Sequence, residues 1–255
     1  MPYKNLVCYN YVINTSRKYM VNTVGSCENK HWQKKWISTK KDIKISPKQK
    51  SFIIGSLLGD GTMWLGKGAV NANFKVEQGL VQKEYVFWKY KILKPLVFTG
   101  PKISYRDDPF GNKYQKSRWF RTIRHPLLTE IFNKFYVKKG YKTGKKIVPK
   151  NIMEDLDSLG LAVWIMDDGS YSKGKIDIST YSFSLPEINL LCEILREKFG
   201  VEMHKYKDRD KGYRIYSNQK FTKKLIKIIK PYIVPSMMYK IGFSQPRNDL
   251  SLFKR

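Results

Sequence analysis

Two stretches decide how this sequence folds: Ile53-Ile54-Gly55-Ser56-Leu57-Leu58-Gly59-Asp60-Gly61 and Leu161-Ala162-Val163-Trp164-Ile165-Met166-Asp167-Asp168-Gly169. Each reads as an apolar helix ending in Asp-Gly. A glycine C-cap would account for either one alone. The acid argues against that reading, because a carboxylate in the last turn faces the negative end of the helix dipole. Placing one there twice calls for an offsetting cation. Gly55 and Gly59, four residues apart, put a small-residue stripe on one face of the first helix, where two backbones can approach closely. Packed side by side on a pseudo-twofold axis, the two helices would bring Asp60 and Asp168 to one edge.

The same elements surround both motifs. Ser46-Pro47 supplies an N-cap and a first-turn proline for a helix running to about Gly59. After a Gly-rich turn, residues 71–77 alternate, with Ala72, Phe74 and Val76 on one face and Asn71, Asn73, Lys75 and Glu77 on the other. A helix over 85–93, a hairpin of 102–106 and 113–124, and a helix over 126–136 complete the first half. The order returns in a helix over 156–166, an alternating strand over 175–179, a helix over 186–199, strands over 201–207 and 213–217, and a helix over 221–229. Both halves read helix, two strands, helix, two strands, helix. Such a duplication predicts an α+β protein of two repeat domains, 47–150 and 151–255, after a basic, acid-poor N-terminal extension over 1–46.

The 255 residues include 49 Lys and Arg against 21 Asp and Glu, a formal charge of +28 that attracts polyanions, with nucleic acid the first partner to consider. No window approaches the roughly 18 apolar residues of a membrane span, which argues against a membrane protein. The three cysteines, Cys8, Cys27 and Cys192, show no paired spacing, and Cys27 with His31 lacks the second pair of a zinc site. Trp88, Trp119 and Phe132 fall at core spacing.

The paired motifs, their separation and the stretch Pro231-Tyr232-Ile233-Val234-Pro235-Ser236-Met237-Met238-Tyr239-Lys240 resemble the LAGLIDADG homing endonucleases of the single-chain, two-repeat kind, over about residues 47–243. The resemblance implies two pseudo-twofold-related αββαββα repeats, with the motif helices packed at the domain interface and antiparallel sheets forming a DNA-binding saddle. It implies that Asp60 and Asp168, the last acid of each motif, hold Mg²⁺, with Gly59 and Asp167 in the same metal set. Mn²⁺ or Ca²⁺ would also occupy such a site, Ca²⁺ without cleavage. Lys146 and Lys240 match the family's peripheral lysines, Lys145 remaining open beside Lys146. Gln78 matches a position that orients water or metal, and Tyr181 takes the equivalent place in the second half, which implies two unlike centres. Val163 and Asp167 stand where the motif has small residues, so a looser seam is expected there.

The activity implied is that of a monomeric endonuclease making a staggered, divalent-metal-dependent double-strand break in a long DNA site, promoting intron mobility. Hydrolysis would leave 3′-hydroxyl and 5′-phosphate ends. The strand faces carrying Asn71, Asn73, Lys75, Glu77, Lys173, Lys175, Asp177 and Ser179 are candidates for reading bases, since a two-stranded ribbon fits the major groove. Arg118, Arg121, Arg124, Lys205, Lys207 and Arg214 are further candidates, with backbone contacts the commoner kind. The alternative is a maturase that binds its host intron RNA to assist splicing. The excess of lysine over arginine suggests an A+T-rich genome, hence an organelle, mitochondrion or chloroplast.

Overall fold

The structure, a computed structural model, describes residues 43–137 and 144–243. Most of the expected N-terminal extension, residues 1–42, lies outside the described residues. Helix α1 (Pro47–Leu58) begins where Ser46-Pro47 predicts. The Ser46 hydroxyl accepts from the Gln49 amide at 3.2 Å while Gln49 Oε1 accepts from the Ser46 amide at 3.0 Å, a reciprocal cap with proline at the start. Strands β1 (Thr62–Trp64) and β2 (Asn73–Gly79), helix α2 (Lys83–Leu93), the hairpin β3 (Lys102–Asp107) and β4 (Lys113–Arg121), and helix α3 (Pro126–Phe135) follow. After one turn, α4 (Ile152–Asp155), the sequence of elements returns. It runs through α5 (Ser158–Asp168), β5 (Gly169–Ser172), β6 (Lys175–Ser179), α6 (Leu185–Phe199), β7 (His204–Lys207), β8 (Tyr213–Tyr216) and α7 (Gln219–Ile229).

Each half holds a four-stranded antiparallel sheet, ordered β1-β2-β4-β3 and β5-β6-β8-β7. The identical order is the duplication that the sequence predicts. Strand β1 lies in what reads as a Gly-rich turn and β5 between the second motif and the strand read over 175–179; three or four residues are too few to show alternation. Ala72, Phe74 and Val76, with Ile176 and Ile178, are fully buried on the helix side of their sheets.

Helices α1 and α5 form the seam between the halves. Phe52 to Leu58 on one, and Leu161 to Met166 on the other, are buried all round, as a central helix must be. A Cβ on Gly55 would stand 2.1 Å from the Gly160 carbonyl oxygen, so the backbones touch where the glycine stripe predicts. The looser seam expected at Val163 and Asp167 is not found. Contact runs through Gly160 instead, and Gly59 leaves the space that Asp167 fills, since a Cβ there would lie 2.5 Å from Asp167 Cβ. Asp157 caps α5 by accepting from the Gly160 amide at 2.8 Å, and the same carboxylate accepts from the Ser51 hydroxyl of α1.

Candidate active site

Both motif helices end in Gly-flanked acids, but no glycine there adopts a left-handed cap: φ is −102° at Gly59 and −77° at Gly169. The glycine after each acid is needed for space. A Cβ on Gly61 would lie 2.6 Å from the Ser56 carbonyl oxygen, and one on Gly169 would lie 2.4 Å from that of Ile165. The chain turns directly from each helix into β1 or β5, and Asp60 and Asp168 stand at that turn.

A lysine braces each turn in the same way. Lys146 donates to the carbonyls of Gly59 and Gly61 at 2.7 and 3.4 Å, the residues on either side of Asp60. Lys240 donates to the carbonyls of Asp167 and Gly169 at 3.4 and 2.7 Å, the residues on either side of Asp168. This correspondence selects Lys146 over its neighbour, because Lys145 is exposed and its carbonyl pairs with the Val137 amide. Lys146 sits at an isolated bridge with Tyr136, and Lys240 in the 3₁₀ segment Pro235–Ile241. Burial pulls both ammonium groups below their ordinary range, while the nearby acids pull the other way.

The acids repel one another. Burial first, then the charges of Asp60 and Asp167, push the Asp168 carboxyl up to about 7. Asp60 is raised as well, by burial and then by Asp167, although its side chain opens to solvent. Carboxylates held this way favour a proton or a dication.

Asp167 occupies a different environment. It is buried, and its carboxylate accepts from Lys89 Nζ at 2.6 Å, Tyr85 Oη at 2.8 Å and Ser56 Oγ at 3.0 Å, with Gln78 Nε2 at 3.4 Å. All four donors come from the first half, so the side chain reaches across the seam. Its surroundings hold the Tyr85 hydroxyl well above its ordinary range, burial acting first and Asp167 next, so it stays a donor. Lys89 and Tyr85 escape a reading that looks for acids. Their signal is nonetheless in the sequence, since Tyr85, Val86, Lys89 and Leu93 follow the helical period, which places a lysine in an apolar stripe.

Gln78 donates to Asp60 Oδ2 at 2.9 Å. The equivalent position in the second half is Thr180 rather than Tyr181. Thr62 pairs with Lys75 and Ser170 with Asp177, which aligns Gln78 with Thr180. The Thr180 hydroxyl donates to the Tyr213 carbonyl at 2.7 Å, while Tyr181 bonds Asp208 and accepts from Arg214 at 3.0 Å. The one-residue slip moves the side chain to the other face of the sheet.

The strand faces sort the remaining candidates. Lys75 and Arg121 pair across β2 and β4 on the face away from the helices, with Glu77 held by Lys75 at 2.6 Å and Ser117 at 2.5 Å. Arg124 lies over the Trp64 ring at 5.8 Å. Asn73 is buried, at 6% exposure, and Asn71 precedes the strand, its Oδ1 accepting from Thr129 at 3.1 Å. On the second sheet Asp177 accepts from Arg214 and, at 2.8 Å, from Tyr206, and Arg214 also reaches Ser179 at 2.9 Å. Lys175 lies over Tyr216, and Lys173 is exposed in the turn at φ 50°. Three candidates fall on the wrong side. Arg118 shares the helix face with Phe120 and lies over Phe87 of α2 at 5.5 Å. Lys205 and Lys207 alternate with Tyr206, and Lys205 donates to Asn189 of α6 at 2.5 Å.

Among the described residues no three His, Cys, Asp or Glu side chains gather into a closed metal site. The donors at the seam are two carboxylates and backbone carbonyls. An open, all-oxygen set of this kind suits a hard dication that keeps waters and takes phosphate oxygens from its substrate.

Fold and site define a duplicated, basic protein with a pair of acids at its seam, the plan of a nuclease. Residues 50–225 match the model of the LAGLIDADG DNA endonuclease family. The chain is 33% identical over 193 residues to the cytochrome b mRNA maturase bI2 of Debaryomyces hansenii, covering 74% of this chain and 71% of that one. It is 29% identical to the DNA endonuclease I-ChuI of Chlamydomonas applanata, covering 78% and 97%. Its fold is similar to the homing endonuclease I-WcaI bound to its DNA recognition sequence, with TM-score 0.72, 23% identity, and coverage of 87% and 95%. The chain belongs to the LAGLIDADG DNA endonuclease family, whose members are DNA endonucleases that generally depend on divalent metal.

Proposed function

We propose that this protein is a site-specific homing endonuclease that makes a staggered double-strand break at a long DNA target, acting as a monomer through repeat domains 47–150 and 151–255. The observation that carries the reading is the matched pair of centres, an acid whose two flanking carbonyls are held by a lysine, at the end of each seam helix. Asp60 and Asp168 supply the carboxylates that hold Mg²⁺, and the carbonyls of Gly59 and Asp167 are the backbone donors beside them. The Asp167 side chain takes no part in that set, since its oxygens already have first-half donors. Bound Mg²⁺ supplies Lewis-acid polarisation of the scissile phosphate and a more acidic water.

The chain's own groups do the rest. Lys146 and Lys240 keep each turn closed and place positive charge where the pentavalent phosphate gathers negative charge. Gln78 holds Asp60 in orientation. Lys75, Arg121, Arg124, Lys175 and Arg214, with Glu77, Asp177 and Ser179, lie on the faces that meet the duplex, and Lys173 joins them from its turn. The names of relatives place such proteins in introns, which supports an organelle origin and a role in intron mobility. Cleavage of a randomised duplex library with Mg²⁺ and with EDTA tests the reading; Asp60→Asn and Asp168→Asn should each abolish double-strand cutting, and persistent cutting by either would refute it.

The similarity to a cytochrome b mRNA maturase supports a second reading, assistance to splicing through intron RNA. Rescue of host-intron splicing by the double Asp60→Asn, Asp168→Asn variant, with no DNA cutting by the wild type, would favour it.

A further inference from the structure

The two halves differ at the residue before each motif acid, which is Gly59 in the first and Asp167 in the second. The Asp167 carboxylate crosses the seam and meets Lys89, Tyr85, Ser56 and Gln78, all in the first half. Lys89 is the strongest of these partners. Its side chain is 1% exposed, lies over the Tyr85 ring at 4.4 Å, and donates to both Asp167 and Ser56. Gln78 uses one amide nitrogen toward two carboxylates, Asp60 at 2.9 Å and Asp167 at 3.4 Å. Because both neighbours only accept, the amide must turn its nitrogen toward them. The matching position across the pseudo-twofold, Thr180, bonds its own sheet at Tyr213.

We propose that Lys89 is a positioning residue for the Asp60 centre alone: by anchoring the Asp167 carboxylate it holds the Gln78 amide on Asp60, and among the described residues no equivalent device serves Asp168. The inference rests on the endonuclease reading. Its consequence is that the two strand cuts depend on different residues. Loss of the Lys89 network slows one cut more than the other, so nicked duplex accumulates.

The test uses the whole protein and a supercoiled plasmid carrying a site that the wild type selects from a randomised library. The principal variant is Lys89→Met with Asp167→Asn, which removes both buried charges and keeps their shape, an exchange that is often neutral for stability. The second is Asp167→Asn, which leaves Lys89 on Ser56 and the Tyr85 ring. Both should bind the site in EDTA as the wild type does. Both acids lose the charge of Asp167, but the cut served by Asp60 should fall roughly tenfold further than the cut served by Asp168, the effect of one lost orienting hydrogen bond. End-labelled strands should show the same strand left intact in both variants and in Gln78→Met.

In metal-free, nitrogen-labelled protein, the Gln78 side-chain amide signal should move in both Asp167 variants. Equal slowing of the two strands, cutting without a nicked intermediate, or an unmoved Gln78 signal overturns the proposal. Absence of cutting by the wild type overturns the endonuclease reading and this proposal together. Equal strand rates in a variant beside an active wild type overturn this proposal alone.

Discussion

Asp168 should limit the stability of the metal-free protein. Its carboxyl rises from an ordinary 3.8 to about 7, driven by burial and by the charges of Asp60 and Asp167. A group raised in the folded state holds its proton after the unfolded chain has released it, so stability falls as pH climbs through that interval and stays low above it. At about 1.36 kcal/mol per pH unit the ceiling is about 4 kcal/mol, and solvent on its open side reduces this to roughly 2–3 kcal/mol. Asp168→Asn removes the cost. In EDTA at pH 8 the variant should therefore melt above the wild type, by about 4–12 °C for a chain of this size. Only well below the ordinary 3.8, where the wild-type carboxyl is protonated in both states, should the two melt together. The assay is thermal unfolding followed by circular dichroism across that range. A variant less stable than the wild type at pH 8, or a gain independent of pH, would refute the electrostatic reasoning. The same substitution should abolish double-strand cutting, so the residue that destabilises the empty fold is one that the chemistry needs.

Other consequences follow from the same geometry. Lys89→Met alone strands a buried carboxylate and should cost about 3–5 kcal/mol in denaturant unfolding, most of which the added Asp167→Asn change recovers. Gly55→Ala drives a methyl group into the Gly160 carbonyl and should prevent accumulation of folded protein, judged by yield and melting. Lys146→Met should slow cutting by 10²-fold or more, on the order of removing one charge-stabilising donor, with duplex affinity in EDTA unchanged; Lys145→Met should leave the rate within about twofold. Arg121→Ala should weaken duplex binding and reduce its salt dependence by about one ion, whereas Arg118→Ala should alter stability but not the salt slope.

Much of this was legible in the residues. Ser46-Pro47 starts its helix as capping chemistry requires, and Gly55 announces the close helix contact that the seam shows. The paired Asp-Gly ends mark the two acids in the sequence itself. Where the reading failed, strand parity was the usual cause. Phe120 faces the core, so Arg118, two residues away, must share that face; the same count puts Lys205 opposite Tyr206. Tyr181 stands one residue from Thr180, the true counterpart of Gln78, and only the β1-β2 and β5-β6 pairings fix that register. Lys89 was missed for another reason. A single sequence does not reveal that a buried lysine meets an acid 78 positions away on the other half's helix.

The Gly59 and Asp167 pair makes the two halves non-interchangeable. A dimer of two first halves would set Gly59 against Gly59, leaving a void and two buried ammonium groups without a carboxylate to balance them. A dimer of two second halves would press one Asp167 carboxylate against another. Each self-association is thus penalised by a missing volume or by like charge, and only the mixed pairing satisfies both. A symmetric ancestor assembled from identical copies could not have carried this arrangement. Once fusion allowed the halves to diverge, glycine on one side and aspartate on the other turned an exchangeable interface into a keyed one. Engineers who recombine halves from different relatives would need to transfer Ser56, Gly59, Tyr85, Lys89 and Asp167 as a set.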